Sequence, residues 1–221
     1  MAGAAILFGE MSPGPDWEPR FDKWCNAHFI PARLAAPGFK SAQRYRGEER
    51  QNQLVVFDLE SDEALKSPQY LKLGEHPNPE TKWVLANVEE TTRYVGDRIS
   101  DQRRDAPAGD PLDAPILFSV FFSVPDERAE EFNNWYTEEH VPLLLRNKHW
   151  LACRRYLITD GEPEPWTHMA LHYIADAAAF TAPERTAAHD TPWRKKLAAE
   201  PWFRSRSLTF RRTGVRQQPK R

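Results

Sequence analysis

The stretch FNNWYTEEHVP, residues 132–142, carries three aromatics, two glutamates, a histidine and a proline, and FDKWCNAHFIP, residues 21–31, repeats its frame. Phe21, Trp24, Pro31, Arg44 and Tyr45 pair with Phe132, Trp135, Pro142, Arg155 and Tyr156 at one constant offset of 111 (135 − 24). Farther along, QLVVFDLESDEALKSP (53–68) lies over HMALHYIADAAAFTAP (168–183) at an offset of 115 (183 − 68), which places a four-residue insertion in the intervening hairpin. Pro77 and Pro192 keep that second offset. Matches held over two blocks mark the chain as two tandem copies of one unit.

Working outward, each copy reads strand, helix, strand, strand, helix, short helix, strand. ILFSVFFSV (116–124) is rich in strand formers, and Pro125 with Asp126 supplies a helix start. CRRYLIT and HMALHYI pair across the turn-forming DGEPEP, Ala175 to Phe180 opens the next helix, and LTFRR closes the copy. The expected organisation is a first half over 1–99, a polar linker over 100–114, a second half over 115–214 and a basic tail over 215–221. A β-α-β-β-α-β unit is ferredoxin-like, an antiparallel sheet with helices on one face. The fold class is therefore α+β, with two such units packing their sheets into a pseudo-twofold barrel core and the helices outside.

Composition limits the function classes. With 30 Lys+Arg against 32 Asp+Glu among 221 residues, the formal net charge of −2 offers no field for nucleic acid or an anionic membrane. Two cysteines, Cys25 and Cys153, are too few for a disulfide scaffold or a structural zinc site, so no metal is expected and a reducing, cytoplasmic location fits. The apolar run Ala4 to Phe8 is far shorter than the ~20 residues of a spanning helix and reads as a first strand. Neither a dinucleotide nor a phosphate-loop glycine motif, a zinc-protease H-E-x-x-H or a G-x-S-x-G elbow occurs.

WYTEEHVP followed by a strand containing RRY resembles the EthD-like branch of the dimeric α+β barrel superfamily, in tandem-duplicated form. WCNAHFIPARLAAPGF in the first copy, ending P-x-x-x-x-x-P-G-F, is similar to the same family, so the resemblance runs from about Ile6 to Thr213. It implies the barrel fold and leaves the reaction open, since that superfamily hosts cofactor-free monooxygenases, isomerases, cyclases, lyases and haem enzymes. The first copy departs from the pattern, with His28 and Phe29 where the second has Glu139 and His140. The resemblance thus implies that the acid–base pair belongs to the second half.

At 100° per residue, Glu139 falls ~20° from Phe132 on the sheet-facing side, His140 ~80° away at its border, and Glu138 in solvent. Pro142 has no N–H and frees a carbonyl nearby. The expected site has His140 shuttling a proton at a pKa near ~6.5 or raised by Glu139, which orients it. Tyr136 or Tyr156 would hydrogen-bond a phenolate, Arg155 would hold an anionic group, and His172 and Trp135 would line the pocket. His168 and His172, four apart, share a strand face. The competing structural reading pairs Glu139 with Arg155 and leaves His140 a satisfied border histidine. The function expected is a cofactor-free lyase or isomerase that moves protons on a small aromatic or polyketide-like substrate. A monooxygenase or cyclase of the same fold is the alternative. A non-catalytic small-ligand or haem-binding protein, with His140, His168 or His172 on iron, is the third reading. A further homodimer is compatible with it.

Overall fold

The computed structural model describes residues 4–50, 52–104, 109–163 and 165–220. The chain forms two compact units, the first Met1–Asp97, Thr159–Pro163 and Thr213–Arg221, the second Arg98–Ile158 and Glu164–Arg212.

The first unit runs β1 (Ala5–Met11), α1 (Glu18–Trp24), a π-helical turn (Cys25–Phe29), α2 (Ile30–Leu34), β2 (Phe39–Gly47) and β3 (Gln53–Leu59). A 3-10 turn (Asp62–Lys66), α3 (Pro68–Glu75), α4 (Pro79–Asn87) and β4 (Thr91–Arg103) follow. Its strands pair antiparallel in the order β4-β1-β3-β2, with Leu7 opposite Val95 and Phe57, and Phe57 opposite Ala42. Phe21, Trp24, Ile30 and Leu34 fill the space between the helix and Ala42, Val55 and Phe57 of the sheet.

The second unit repeats this with β5 (Ile116–Phe122), α5 (Asp126–Trp135), a π-helical turn (Tyr136–His140), α6 (Val141–Leu145), β6 (Trp150–Glu162) and β7 (His168–Ile174). A 3-10 turn (Ala177–Thr181), α7 (Pro183–His189), α8 (Pro192–Ala198) and β8 (Ser205–Gln217) complete it. The order is β8-β5-β7-β6, and Phe132, Trp135, Tyr136 and Val141 pack on Val120, Phe122, Cys153 and Ala170. Each unit is thus a four-stranded antiparallel sheet with helices packed on it, the α+β class expected from the sequence.

Local chemistry explains the shared boundaries. α3, α4, α7 and α8 each begin on proline, whose missing N–H costs nothing in a first turn. Ser67, Asn78 and Thr191 cap α3, α4 and α8 by accepting from the backbone N–H of Tyr70, Thr81 and Arg194. The hairpins pair Arg46 with Gln53 and Leu157 with His168, which confirms the four-residue insertion between the two offsets.

Three details differ from the sequence reading. The stretch from 100 opens as the end of β4, with residues 105–108 outside the described set, and β8 continues past 214 to Gln217. Pro192 starts α8 as Pro79, not Pro77, starts α4, so the last helices match at an offset of 113 (192 − 79). The third is the π turn, which recurs in both halves. The Val141 N–H donates to Tyr136 O and the Ile30 N–H to Cys25 O, each five residues back. Such a turn admits one extra residue, so everything after it lags by about 100°. Among the described residues no helix is long and apolar enough to cross a membrane.

Candidate active site in the second half

The lag of one residue decides which side chain enters the crevice. His140 takes the sheet-facing position that uninterrupted helical spacing would give Glu139, and it is only 6% exposed. Glu139 turns to the flank of the helix, where its Oε1 accepts from the Thr191 hydroxyl at 2.6 Å. The expected Glu139–His140 couple is therefore not formed. Neither is a Glu139–Arg155 pair. Pro142 stands five residues after Thr137, and the Thr137 carbonyl accepts from Gln102 Nε2 at 2.8 Å instead.

A cavity of about 250 Å³ opens beside this turn, lined by Trp135, Tyr136, His140, Trp150, His172 and His189, together with Phe118, Arg185 and Arg194. Four of these were singled out in the sequence: Trp135, Tyr136, His140 and His172. They come from the end of α5, the π turn and β7, brought together because Cys153 and His172 are paired opposite one another beneath the helix. Trp150, Arg185, His189 and Arg194 were missed. Their only sequence signal lies in the repeat comparison, where they replace Phe39, Tyr70, Gly74 and Thr81.

Hydrogen bonds assign the proton positions. Trp150 Nε1–H donates to His172 Nδ1 at 3.1 Å, so that nitrogen carries the lone pair and the proton of the neutral ring sits on Nε2. His172 Nε2 lies 2.9 Å from Tyr136 Oη and donates to it, which leaves the Tyr136 O–H free to donate elsewhere. Burial is the main cause that holds His172 down to about 3, with Arg155 adding to it, so the neutral form prevails. At His140 the Ala188 carbonyl faces Nδ1 at 3.3 Å, which places the proton there and the lone pair on Nε2. Burial, then His172 and His189, push His140 well below the ordinary imidazole value, in place of the expected value at or above it. Burial also lowers His189 to about 4, with Arg194 and Arg185 adding to it, and its ring stacks on His140 at 5.6 Å between centroids.

Trp135 completes the polar lining. Its ring lies 4.7 Å from that of His140, and its buried Nε1 has no hydrogen-bond partner. In the first half Trp24 Nε1 donates to Thr81 Oγ1 at 3.0 Å, and the residue matched to Thr81 is Arg194. Arg185 and Arg194 bond only backbone carbonyls, Phe180 O at 3.1 Å and His189 O at 3.3 Å, and neither has an ion pair among the described residues.

Two expected residues lie outside the cavity. Arg155 is buried under α5, where it donates to Asn133 Oδ1 at 2.6 Å and Thr137 Oγ1 at 3.1 Å and stacks over the Tyr136 ring at 4.3 Å. Its guanidinium therefore supports Tyr136 from behind and is not available to a substrate carboxylate. Tyr156, the next residue on the strand, points to the opposite sheet face and pairs with Met169, away from His172. His168 does share the His172 face but packs edge-on against Phe132 at 5.3 Å.

Haem does not fit these residues. Both ring nitrogens of His172 are engaged, His168 is covered by Phe132, and the cavity at His140 is smaller than the ~300–1,000 Å³ typical of sites for drug-sized ligands. Among the described residues no group of three or more His, Cys, Asp or Glu is placed to hold a metal ion.

No protein-family profile matches the chain, and no curated protein matches it. Among solved structures it is similar to an anthrone oxidase-like protein, at TM-score 0.72 and 12% identity over 100% of this chain and 95% of that one. It is also similar to a mutant chlorite dismutase from Candidatus Nitrospira defluvii in complex with cyanide, at TM-score 0.63 and 11% identity over 96% and 92% of the two chains. A candidate monooxygenase from Fusobacterium nucleatum matches at TM-score 0.59 and 9% identity over 96% and 93%. At these identities the likenesses show the fold alone, an α+β arrangement of two ferredoxin-like halves in one chain.

Proposed function

We propose that the second half is an acid–base active site for a small phenolic or enolisable aromatic substrate, working without a cofactor. One observation carries this reading. The lone pair of His140 Nε2 borders a cavity whose other polar groups, the Tyr136 O–H, the Trp135 N–H and the Arg185 and Arg194 guanidiniums, are donors. A base facing several donors is what proton abstraction beside an oxygen requires, because the electrons left behind move onto that oxygen. The depressed pKa makes His140 a weak base, so the substrate must be one whose anion is delocalised and well held. Tyr136 and Trp135 stabilise that oxyanion, the arginines lower the field against it, and the imidazolium formed at His140 returns the proton to another atom of the substrate. The net result is isomerisation or elimination. The cavity suits one or two fused rings, since an apolar cavity of about 150 Å³ already accepts benzene.

A second reading, cofactor-free monooxygenation, has support of its own in the anthrone oxidase-like and monooxygenase neighbours. There the same deprotonation would make an electron-rich anion that dioxygen oxidises. Hydroxylated aryl ketones of one or two rings, incubated with the protein with and without oxygen and followed by mass spectrometry, separate the two. Turnover unaffected by oxygen removal supports the proton-transfer reading, and oxygen-dependent mass gain supports the oxygenase. The acid–base site itself fails if His140→Phe turns over as fast as wild type.

A further inference from the structure

We propose that the first half holds a separate, non-catalytic binding site for a monocarboxylate with an apolar body. The cavity there, about 340 Å³, lies between α2, α3 and α4 and is lined by Phe29, Ala32, Arg33, Tyr70, Leu71 and Leu85, among others. It corresponds to the second-half cavity, yet the charge has crossed from one wall to the other. Arg33 on α2 stands where the second half has Leu144, and Tyr70 on α3 stands where it has Arg185.

Arg33 is a cation without an anion. Its Nη1 donates to the Phe29 carbonyl at 3.2 Å, its plane stacks on the Phe29 ring at 3.5 Å, and its buried Nε has no partner. No carboxylate pairs with it among the described residues. Burial lowers its pKa to about 10, which leaves it fully charged at neutral pH. A partly desolvated guanidinium fixed flat against an aromatic ring presents its remaining N–H groups to a carboxylate in the geometry that such groups prefer. Its ring neighbours are Phe29 and Tyr70, the latter also offering its hydroxyl to the guanidinium, and Leu71 and Leu85 on the same cavity are each 50% exposed, which is unusual for leucines facing one concavity. A single guanidinium matches one carboxylate, and the two leucines match a hydrocarbon body. Phe29 and Phe57 occupy the places of His140 and His172, so the proton-transfer arrangement of the second half is not repeated there, although His28 and His76 also border the cavity.

Titration calorimetry of the full chain with octanoate and octanamide tests the site. Octanoate binds wild type, and octanamide, which lacks the charge, binds roughly tenfold or more weakly. Arg33→Gln weakens octanoate by roughly tenfold or more, and so does Leu71→Glu, an exposed position where the new carboxylate repels the ligand without disturbing the core. Arg185→Gln in the other half leaves octanoate affinity unchanged. His140→Phe also leaves it unchanged, so the binding result stands apart from the catalytic proposal. The inference is overturned if octanoate does not bind, if octanamide binds equally well, if neither Arg33→Gln nor Leu71→Glu weakens binding, or if Arg185→Gln abolishes it.

Discussion

Trp24 and Trp135 occupy matched positions at the end of matched helices, and their indole N–H groups have opposite fates. Trp24 donates to Thr81, whereas Trp135 has lost that acceptor to Arg194 and is left buried and unpaired. The same contrast runs around the crevice. Cys25, Phe29, Phe39 and Phe57 make one wall apolar, and Tyr136, His140, Trp150 and His172 make the other a chain of hydrogen-bonding rings. Even the supporting arginines differ: Arg44 pairs with Asp22, while Arg155 hydrogen-bonds to Asn133 and Thr137 and has no carboxylate partner among the described residues. A buried polar group without a partner costs about 1–3 kcal/mol, and at this matched pair Trp135 Nε1 carries that cost where Trp24 Nε1 does not. The comparison teaches that one backbone can carry either an apolar wall or a wall of hydrogen-bonding rings.

The sharpest way to break that contrast is to give the second half the first half's residue. His140→Phe should lower kcat/KM by ~10²–10⁴ while the melting temperature holds or rises, because a neutral buried imidazole is exchanged for the ring found at Phe29. Equal loss of turnover and stability would mean that His140 only packs. Next, Trp150→Phe removes the donor that fixes the His172 tautomer. Turnover should fall about tenfold with KM little changed, and nitrogen NMR should show a growing population protonated at His172 Nδ1. An unchanged tautomer would detach Trp150 from the mechanism.

A milder exchange is Arg194→Thr, which restores the acceptor seen in the first half. Chemical denaturation should show a gain of about 1 kcal/mol as Trp135 Nε1 regains a partner, and anionic aromatic ligands of the second-half cavity should bind several-fold more weakly.

Acid should expose the same asymmetry. His172 and His168 are held at about 3 and about 4 in the folded chain, chiefly by burial, against ~6.5 when unfolded. Between those values the unfolded chain binds more protons, so this contribution to stability is complete above about pH 6.5 and is lost as pH falls toward 3–4. The melting temperature should drop between pH 7 and pH 5, and the pair His168→Gln with His172→Phe, which copies Gln53 and Phe57, should flatten that drop. Glu139→Gln should have the smallest effect, within about 0.5–1 kcal/mol and without loss of turnover, since its hydrogen bond is to Thr191 and not to His140. A large loss of activity there would restore the couple expected from helical spacing.

Much of this was legible along the chain because it depends on local rules. The constant offsets revealed the duplication, strand alternation placed His168 and His172 on one face, and the departures at Phe29 and Phe57 pointed to the second half. The same alternation shows that Arg155 and Tyr156, as neighbours on β6, cannot both reach one pocket. What the tertiary structure decided rests on contacts between distant segments and on one backbone irregularity. A π turn adds a residue without a sequence signature strong enough to override a 100° count, and that single residue exchanges Glu139 for His140 on the buried face. The directions of the protons at His172, Tyr136 and His140 depend on Trp150 and Ala188, 22 and 48 residues away from the rings they orient. Composition and periodicity specify which residues meet the core, whereas hydrogen-bond partners and desolvation are set by what the fold brings against them, and these decide the tautomers and the neutral charge states.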